Sequence, residues 1–252
     1  MEQLHNLLEY KNLKIYQNDD WFSFSLDSVL LANYVTILPR TCNILDLCTG
    51  NAPIPLILSR RTKAHIDAVE IQQDVSTLAH KSVIINNLQD QISILCQSAQ
   101  DFGKQCESDR YDLITCNPPY FKNDTKATKN LDIHKTIARH EVTITLEEIL
   151  KIVKKILKNN GTFAIVHRAE RLTELLYLFQ KNNITPKRLR FIYPHLTNEA
   201  NMIILEGTKN GHAGLKVLPP LIVHNNDGSY TDEIVNIFKG KGENKNESKK
   251  LP

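Results

Sequence analysis

Asn43-Ile44-Leu45-Asp46-Leu47-Cys48-Thr49-Gly50-Asn51-Ala52-Pro53-Ile54-Pro55-Leu56-Ile57-Leu58 reads as an apolar strand, a turn of small residues and a helix that opens on prolines. Proline is tolerated in a first helical turn because the N–H it lacks has no intrahelical partner there. Such a turn carries backbone close to a ligand at a helix N-terminus, the logic of a nucleotide-binding strand-to-helix turn. Gly50 alone stands where a dinucleotide fingerprint places a set of glycines, so a ligand without phosphates is favoured over a pyrophosphate.

Downstream, Ala64 to Glu70 is a second strand that ends in an acid, where a carboxylate can accept bonds from both ribose hydroxyls of an adenosine moiety. Asp74 to Leu88 has helical periodicity and Gln91 to Cys96 reads as a third strand. Ser98-Ala99-Gln100 then occupies the strand end that would contact an adenine. Tyr111 to Cys116 is a fourth strand, with β-branched Ile114 and Thr115 suited to a pleated surface. This alternation predicts an α/β fold with an open, doubly wound, largely parallel sheet and a ligand across its carboxyl ends.

The fourth strand stops at Asn117-Pro118-Pro119-Tyr120. Pro119 drives Pro118 out of the helical region and neither proline donates to a sheet, so the chain leaves the strand extended and stiff. Asn117 and Tyr120 stand at its mouth. The Asn117 and Pro118 carbonyls can accept the two hydrogens of a planar amine while the Tyr120 ring stacks on the flat face. An exocyclic adenine amine is a poor nucleophile because its lone pair is delocalised; two acceptors in a dry site would favour the form that attacks. The same four residues also fit a rigid turn that does nothing more than close a strand.

On the N-terminal side, Lys11 to Gln17 reads as a short strand, followed by a helix that Ser25 or Asp27 can cap and that buries Leu26, Val29 and Leu30. Phe24, Ser25 and Asp27 can line a pocket at its start. Beyond the tetrad, Lys122, Lys126, Lys129 and Lys135 lie in a polar, helix-poor stretch, either a solvated loop or a phosphate-binding lid. Arg139, His140 and Glu141 follow and are read as a structural link between that loop and the site. Leu146 to Leu157 is a helix ended by Asn159-Asn160-Gly161, Thr162 to His167 a buried strand, and Glu170 to Asn182 a helix. Arg188 to Pro194 and Asn201 to Gly207 form a terminal antiparallel pair, with Lys187, Arg188 and Arg190 as a second basic patch. Leu218 to His224 packs back extended, Tyr230 to Phe238 is a short helix, and the composition from Lys239 onward is that of a disordered tail.

With 252 residues, 41% hydrophobic and 23% charged, the chain has room for one large α/β domain. It has no apolar run of membrane-spanning length and no signal-peptide pattern at its start, so a cytoplasmic location is expected. Five cysteines without a C-x-x-C pair favour buried free thiols over disulfides or zinc. A net charge of +3 is too small to identify a nucleic-acid partner.

The combination of Asp46-Leu47-Cys48-Thr49-Gly50-Asn51, Val69-Glu70-Ile71 and Asn117-Pro118-Pro119-Tyr120 resembles the Rossmann-like, S-adenosyl-L-methionine-dependent amino-methyltransferases. With Phe24 to Ala32, Ala138 to Glu141 and Leu218 to Asn225, the chain is similar to the bacterial tRNA (adenine-N6)-methyltransferases that modify the adenine 3′ of the anticodon in a valine tRNA. That resemblance implies a mostly parallel seven-stranded sheet with a terminal antiparallel pair. It divides the chain into an N-terminal strand and helix over residues 1–40 that close the cofactor site, a class I methyltransferase domain over 41–238, and a tail over 239–252. It places S-adenosyl-L-methionine among Phe24, Ser25, Asp27, Asp46, Thr49, Gly50, Asn51, Glu70, Ile71, Ser98, Ala99 and Asn117. Asn117, Pro118, Pro119 and Tyr120 would hold the target amine. Lys122, Lys126, Lys129, Arg139, Lys187, Arg188 and Arg190 would meet the tRNA anticodon stem-loop, with no metal and no membrane involved. The chain departs from the family at Cys48 and Ala52, where glycines are usual, and at Ser98, where an acid is usual. Two other readings stay open: an N5-glutamine methyltransferase acting on a protein, and a non-catalytic RNA-binding module on a methyltransferase fold. A DNA adenine methyltransferase would generally need a target-recognition insertion, and none is evident.

Overall fold

Adjacent residues along the central strands are drawn to opposite sides of one sheet. Ile44 and Leu45, Leu113 and Ile114, and Ile203 and Ile204 each divide between two separate buried clusters. Because a strand alternates its side chains with period two, a strand that is apolar at every position must be covered on both faces. The computed structural model describes residues 2–9, 12–18, 25–120 and 144–241.

In chain order the elements are β1 (Glu2–Asn6), β2 (Lys14–Asn18), α1 (Leu26–Tyr34), β3 (Asn43–Leu47), α2 (Pro53–Leu58), β4 (His65–Glu70), α3 (Gln73–Ile85), β5 (Ile92–Cys96), α4 (Ala99–Gln105), β6 (Tyr111–Cys116), α5 (Leu146–Ile156), β7 (Leu157–Arg168), α6 (Leu172–Lys181), β8 (Ile184–Tyr193), β9 (Met202–Lys209), β10 (Lys216–Val217), β11 (Leu221–Ile222) and α7 (Asp232–Phe238). The large sheet has the order β10-β8-β9-β7-β6-β3-β4-β5, and β11 joins β8 further along the edge that β10 begins. Strands β3 to β7 are parallel to one another, whereas β9 runs antiparallel to both β7 and β8. The expected mostly parallel sheet with a terminal antiparallel pair is therefore present. Its strand number is nine rather than seven, because two-residue β10 and β11 extend the β8 edge. Helices α1, α2, α3 and α7 contribute to the cluster on one face, and α4, α5 and α6 to the cluster on the other.

Three local results differ from the sequence reading. First, β2 has an unanticipated partner, β1, and the hairpin docks on α3 through side-chain bonds to its backbone. Tyr16 N–H donates to Ser82 Oγ at 2.9 Å, and Asn86 both accepts from Lys14 N–H at 2.9 Å and donates to Lys14 O at 2.6 Å. Second, Asn159-Asn160-Gly161 does not end a helix. Helix α5 stops at Ile156, and the three residues form a bulge in β7 between the pairs Tyr111–Leu157 and Leu113–Thr162. Asn160 takes φ +60 there, a conformation asparagine tolerates. Third, α4 was not foreseen, since Gly103 in its middle weakens the helical signal. The glycine has a packing reason: a Cβ at position 103 would lie 2.9 Å from two carbons of Ile152 on α5. All five cysteines are free, but burial holds for Cys106 and Cys116 while Cys42 and Cys96 are exposed.

Helix propensity alone would make Gly103→Ala stabilising. The approach of Ile152 reverses the sign, and urea denaturation should find this variant less stable by about 1–3 kcal/mol. A neutral or stabilising result would mean that α4 and α5 can separate without loss.

Candidate active site

The first strand-to-helix turn is held by the end of the neighbouring strand. Glu70, the last residue of β4, is buried, and its two carboxylate oxygens accept from Gly50 N–H and Gln72 N–H, each at 2.9 Å. Thr49 N–H donates to Val69 O at 3.0 Å. Between these anchors the backbone takes left-handed values at alternate residues: φ +58 at Cys48, +60 at Gly50 and +71 at Ala52. The two positions where this chain departs from glycine are thus conformations that favour glycine, at a cost on the order of 1 kcal/mol each. Nothing lies within 4 Å of where a Cβ on Gly50 would stand, so the turn faces open space at that point.

On this turn and the strand before it, three buried polar side-chain atoms lack hydrogen-bond partners among the described residues. They are Asp46 Oδ2, Thr49 Oγ1 and Asn51 Oδ1. Each residue is otherwise anchored: Asp46 Oδ1 accepts from Thr115 Oγ1 at 2.6 Å, and Asn51 Nδ2 donates to the Tyr16 carbonyl at 3.0 Å. Burial raises the Asp46 carboxyl to about 7; the Thr115 hydroxyl opposes the shift and the Glu70 charge adds to it. Thr49 lies near enough to favour the Asp46 charge without the geometry of a hydrogen bond. Glu70 is likewise raised, first by burial, against the pull of the Gln72 and Gly50 N–H groups.

One strand over, Asn117 follows β6, and its Nδ2 donates to Ser28 Oγ of α1 at 2.8 Å. Its Oδ1 accepts from the Tyr120 hydroxyl, which also contacts Asp27 Oδ2 at 2.9 Å. The acceptor proposed for an incoming amine is thus occupied by a hydroxyl from the same tetrad. Burial pushes the Tyr120 phenol well above its ordinary value, and the Asp27 charge pushes it further. Asp27 is raised by burial, with the Tyr120 bond opposing. The Tyr120 ring meets His167 edge-on, with centroids 5.5 Å apart, and Arg171 Nη1 donates to the Tyr120 carbonyl at 3.5 Å. Burial and the Arg171 charge lower His167 to about 3, so its ring is neutral. His167 Nδ1 accepts from Arg168 N–H, which leaves the ring proton on Nε2.

Pro118 and Pro119 are buried beside Asn117. Ile71, directly after Glu70, is an apolar side chain that is 41% exposed. Ser98 caps α4: its hydroxyl accepts from Asp101 N–H at 3.0 Å and donates to Asp101 Oδ2 at 2.8 Å, with Ala99 buried behind it. Ser25 begins α1 without a side-chain cap bond. Phe24, Lys122, Lys126, Lys129, Lys135, Arg139, His140 and Glu141 lie outside the described residues.

The second basic patch turns inward. Arg188 Nη1 donates to Tyr34 O at 3.1 Å and Thr36 Oγ1 at 2.6 Å, pairs with Glu206 at 3.4 Å, and its guanidinium lies over the Tyr34 ring. Arg190 donates to Pro219 O at 3.0 Å and pairs with Glu233 at 2.7 Å, and Lys187 donates to His212 O at 2.6 Å. Sequence reasoning saw charge there but not the carbonyls and carboxylates that use it. It also passed over Thr115, Ser28, His167 and Arg171, which support the site from behind. Polar residues at the inward positions or carboxyl ends of buried strands were the available signal for Thr115 and His167.

Among the described residues no group of three or more His, Cys, Asp or Glu side chains could hold a metal ion, and no helix is long and apolar enough to cross a membrane. Residues 23–191 match the methyltransferase small domain family. A curated protein of Shewanella woodyi named tRNA1(Val) (adenine(37)-N6)-methyltransferase is 26% identical over 242 residues, covering 92% of this chain and 96% of its own. The crystal structure of a predicted O-methyltransferase from Agrobacterium tumefaciens superposes with a TM-score of 0.68 at 18% identity, over 86% of this chain and 97% of its own. Geranyl diphosphate C-methyltransferase of Streptomyces coelicolor, solved with Mg2+, geranyl diphosphate and S-adenosyl-L-homocysteine, reaches 0.52 at 9% identity, over 72% and 78% of the two chains. At these identities the two crystal structures bear on the fold alone.

The raised Asp46 sets a pH dependence whose sign is opposite to that of a salt-bridged acid. The unfolded carboxyl ionises near 4 and the folded one near 7, so stability is lost as pH rises through that window and stays low above it. Asp46→Asn keeps an acceptor for Thr115 and removes the titration. Urea denaturation from pH 4 to pH 8 should show the variant gaining on the parent across the window, by on the order of 1–3 kcal/mol at pH 8. Parallel pH profiles for the two proteins would exclude a buried charge at this position.

Proposed function

Since the chain belongs to the methyltransferase small domain family, we propose that it transfers a methyl group from S-adenosyl-L-methionine to the N6 amine of the adenine at position 37 in a valine tRNA, as the name of the Shewanella woodyi protein suggests. The observation that carries this reading is the Asn117 amide. Its nitrogen is tied to Ser28, so its oxygen is the end presented at the mouth of β6, beside the turn of open space around Gly50.

The unpartnered Asp46 Oδ2, Thr49 Oγ1 and Asn51 Oδ1 fit a polar, phosphate-free ligand, and Glu70 has the place and charge to take a ribose. S-adenosyl-L-methionine supplies an electrophilic methyl group when bound there. Ser25, Asp27, Ile71, Ser98 and Ala99 border the same cleft in this reading, and residues 1–40 close it over the domain of 41–238. Ser98, already bonded to Asp101, offers what its hydroxyl has left. Asn117 and the Pro118 carbonyl hold the amine once Tyr120 gives way, and the Tyr120 ring covers the base. A base must leave its stack to reach this position, and an anticodon-loop nucleotide does so more cheaply than a paired one. The reading carries with it a cytoplasmic location and an anticodon stem-loop as the RNA element in contact.

Nucleoside mass spectrometry of unmodified tRNA incubated with the protein and S-adenosyl-L-methionine should reveal N6-methyladenosine mapped beside the anticodon. With Asn117→Ala the cofactor should still bind while turnover falls about a hundredfold or more. Methylation of a protein amide in place of RNA would transfer the same site to the glutamine class. Unchanged turnover in the variant would remove Asn117 from its role.

A further inference from the structure

Three rings stand in a column on the surface near the end of β8. His195 and His224 have centroids 5.3 Å apart at 32°, and His224 and Tyr230 are 4.8 Å apart at 24°. Phe238 of α7 meets Tyr230 edge-on at 5.0 Å. The column is not core: Tyr230 is 45% exposed, and Leu196 beside His195 is 73% exposed. Its frame is nonetheless well determined. Val223 and His224 N–H groups donate to the Tyr193 and Pro194 carbonyls, each at 2.9 Å, and an antiparallel bridge joins His224 to Tyr230. The intervening turn is closed by Asn225 N–H to Ser229 O at 2.8 Å and by Ser229 N–H to Asp227 Oδ1 at 2.9 Å. Tyr230 is exposed and the two histidines are half-buried, and inclined rings held at the surface by a braced turn are preorganised to receive another flat ring.

Position gives the column its meaning. Strand β8 is antiparallel to β9, β9 to β7, and β7 is parallel to β6. The carboxyl end of β8, and His195 just beyond it, therefore lies on the same edge of the sheet as Asn117. Three interstrand steps, roughly 14 Å at strand spacing, lie between them, and the register places Asn117 level with Arg190, so His195 also stands further along the strand direction. The separation is on the order of 20 Å, a reach of a few nucleotides along an unpaired loop.

We propose that His195, His224 and Tyr230 form a stacking platform for an unpaired RNA base a few nucleotides from the methylated adenine. This rests on the RNA-substrate reading above. Drawing one loop base into the Asn117 site disrupts the stacking of the loop, and the ring column supplies a replacement surface on the same edge. Stacking is tolerant of base identity, so the platform sets the register of the loop rather than reading its sequence.

The test compares the parent with His195→Ala, His195→Phe and Tyr230→Ala. The substrates are an anticodon stem-loop RNA and versions of it made abasic at one unpaired loop position at a time. His195→Ala should raise KM for the RNA about tenfold, leave kcat within about twofold, and leave S-adenosyl-L-methionine affinity unchanged; His195→Phe should restore KM. One abasic position should raise KM for the parent by a similar factor, and the effect should not add to that of His195→Ala, as expected for two partners of one contact. Both alanine variants matching the parent, or a fully additive abasic effect, would overturn the platform while the methyltransferase reading stands. A parent that methylates no RNA would overturn both, which is a distinct result.

Discussion

The bonds from the Glu70 carboxylate to Gly50 and Gln72 N–H tie the end of one strand to the turn that follows its neighbour. A turn with left-handed backbone at alternate residues is not a conformation the chain would hold alone, particularly with cysteine and alanine at two of those places. A buried carboxylate that found no donors would be still more costly. Each difficulty is the other's remedy: the N–H groups exposed by the turn stabilise the acid, and the acid holds the turn in its left-handed form. Parallel pairing of β3 with β4 on one side and β6 on the other brings the two ends together, and Thr115 on β6 reaches Asp46 for the same reason.

Much of this architecture was legible because strands β3 to β7 announce themselves by apolar runs that end in polar residues. Glu70 and Asn117 were identifiable as strand-end groups, and the structure brings their strands to either side of β3. Less legible were features decided by distant contacts. Helix α4 carries a glycine for the sake of Ile152, so its local signal is weak where its packing is tight. The Asn159-Asn160-Gly161 run has the chemistry of a left-handed turn, and that chemistry serves a bulge in β7 as well as it would a helix end. The positive charges of Lys187, Arg188 and Arg190 were plain in the sequence. Their use was not, because carbonyls, carboxylates and a hydroxyl from residues 34, 36, 206, 212, 219 and 233 compete for them only once the chain has folded.

The inward turn of those cations changes what the β8 edge can contribute. Arg188 and Arg190 brace this edge against the end of α1 and against α7, so the rings of His195, His224 and Tyr230 stand on a stiff margin. An edge built this way offers shape and flat apolar surface more than charge. Interactions of that kind are little weakened by salt, in contrast to phosphate contacts, which release counterions.

In the proposed function, the Tyr120 hydroxyl, shared between Asp27 and Asn117, competes with the incoming ligand for Asn117. An amine that enters gains a bond to Asn117 only by displacing one already made, and the net of such an exchange is small compared with a bond formed afresh. Free adenine and its mononucleotides, which offer little beyond the amine and one ring, therefore gain little by entering. A polymer that also engages surface elsewhere on the molecule can offset the exchange. On that proposal a single phenol guards the site against the abundant small molecules that share its target group.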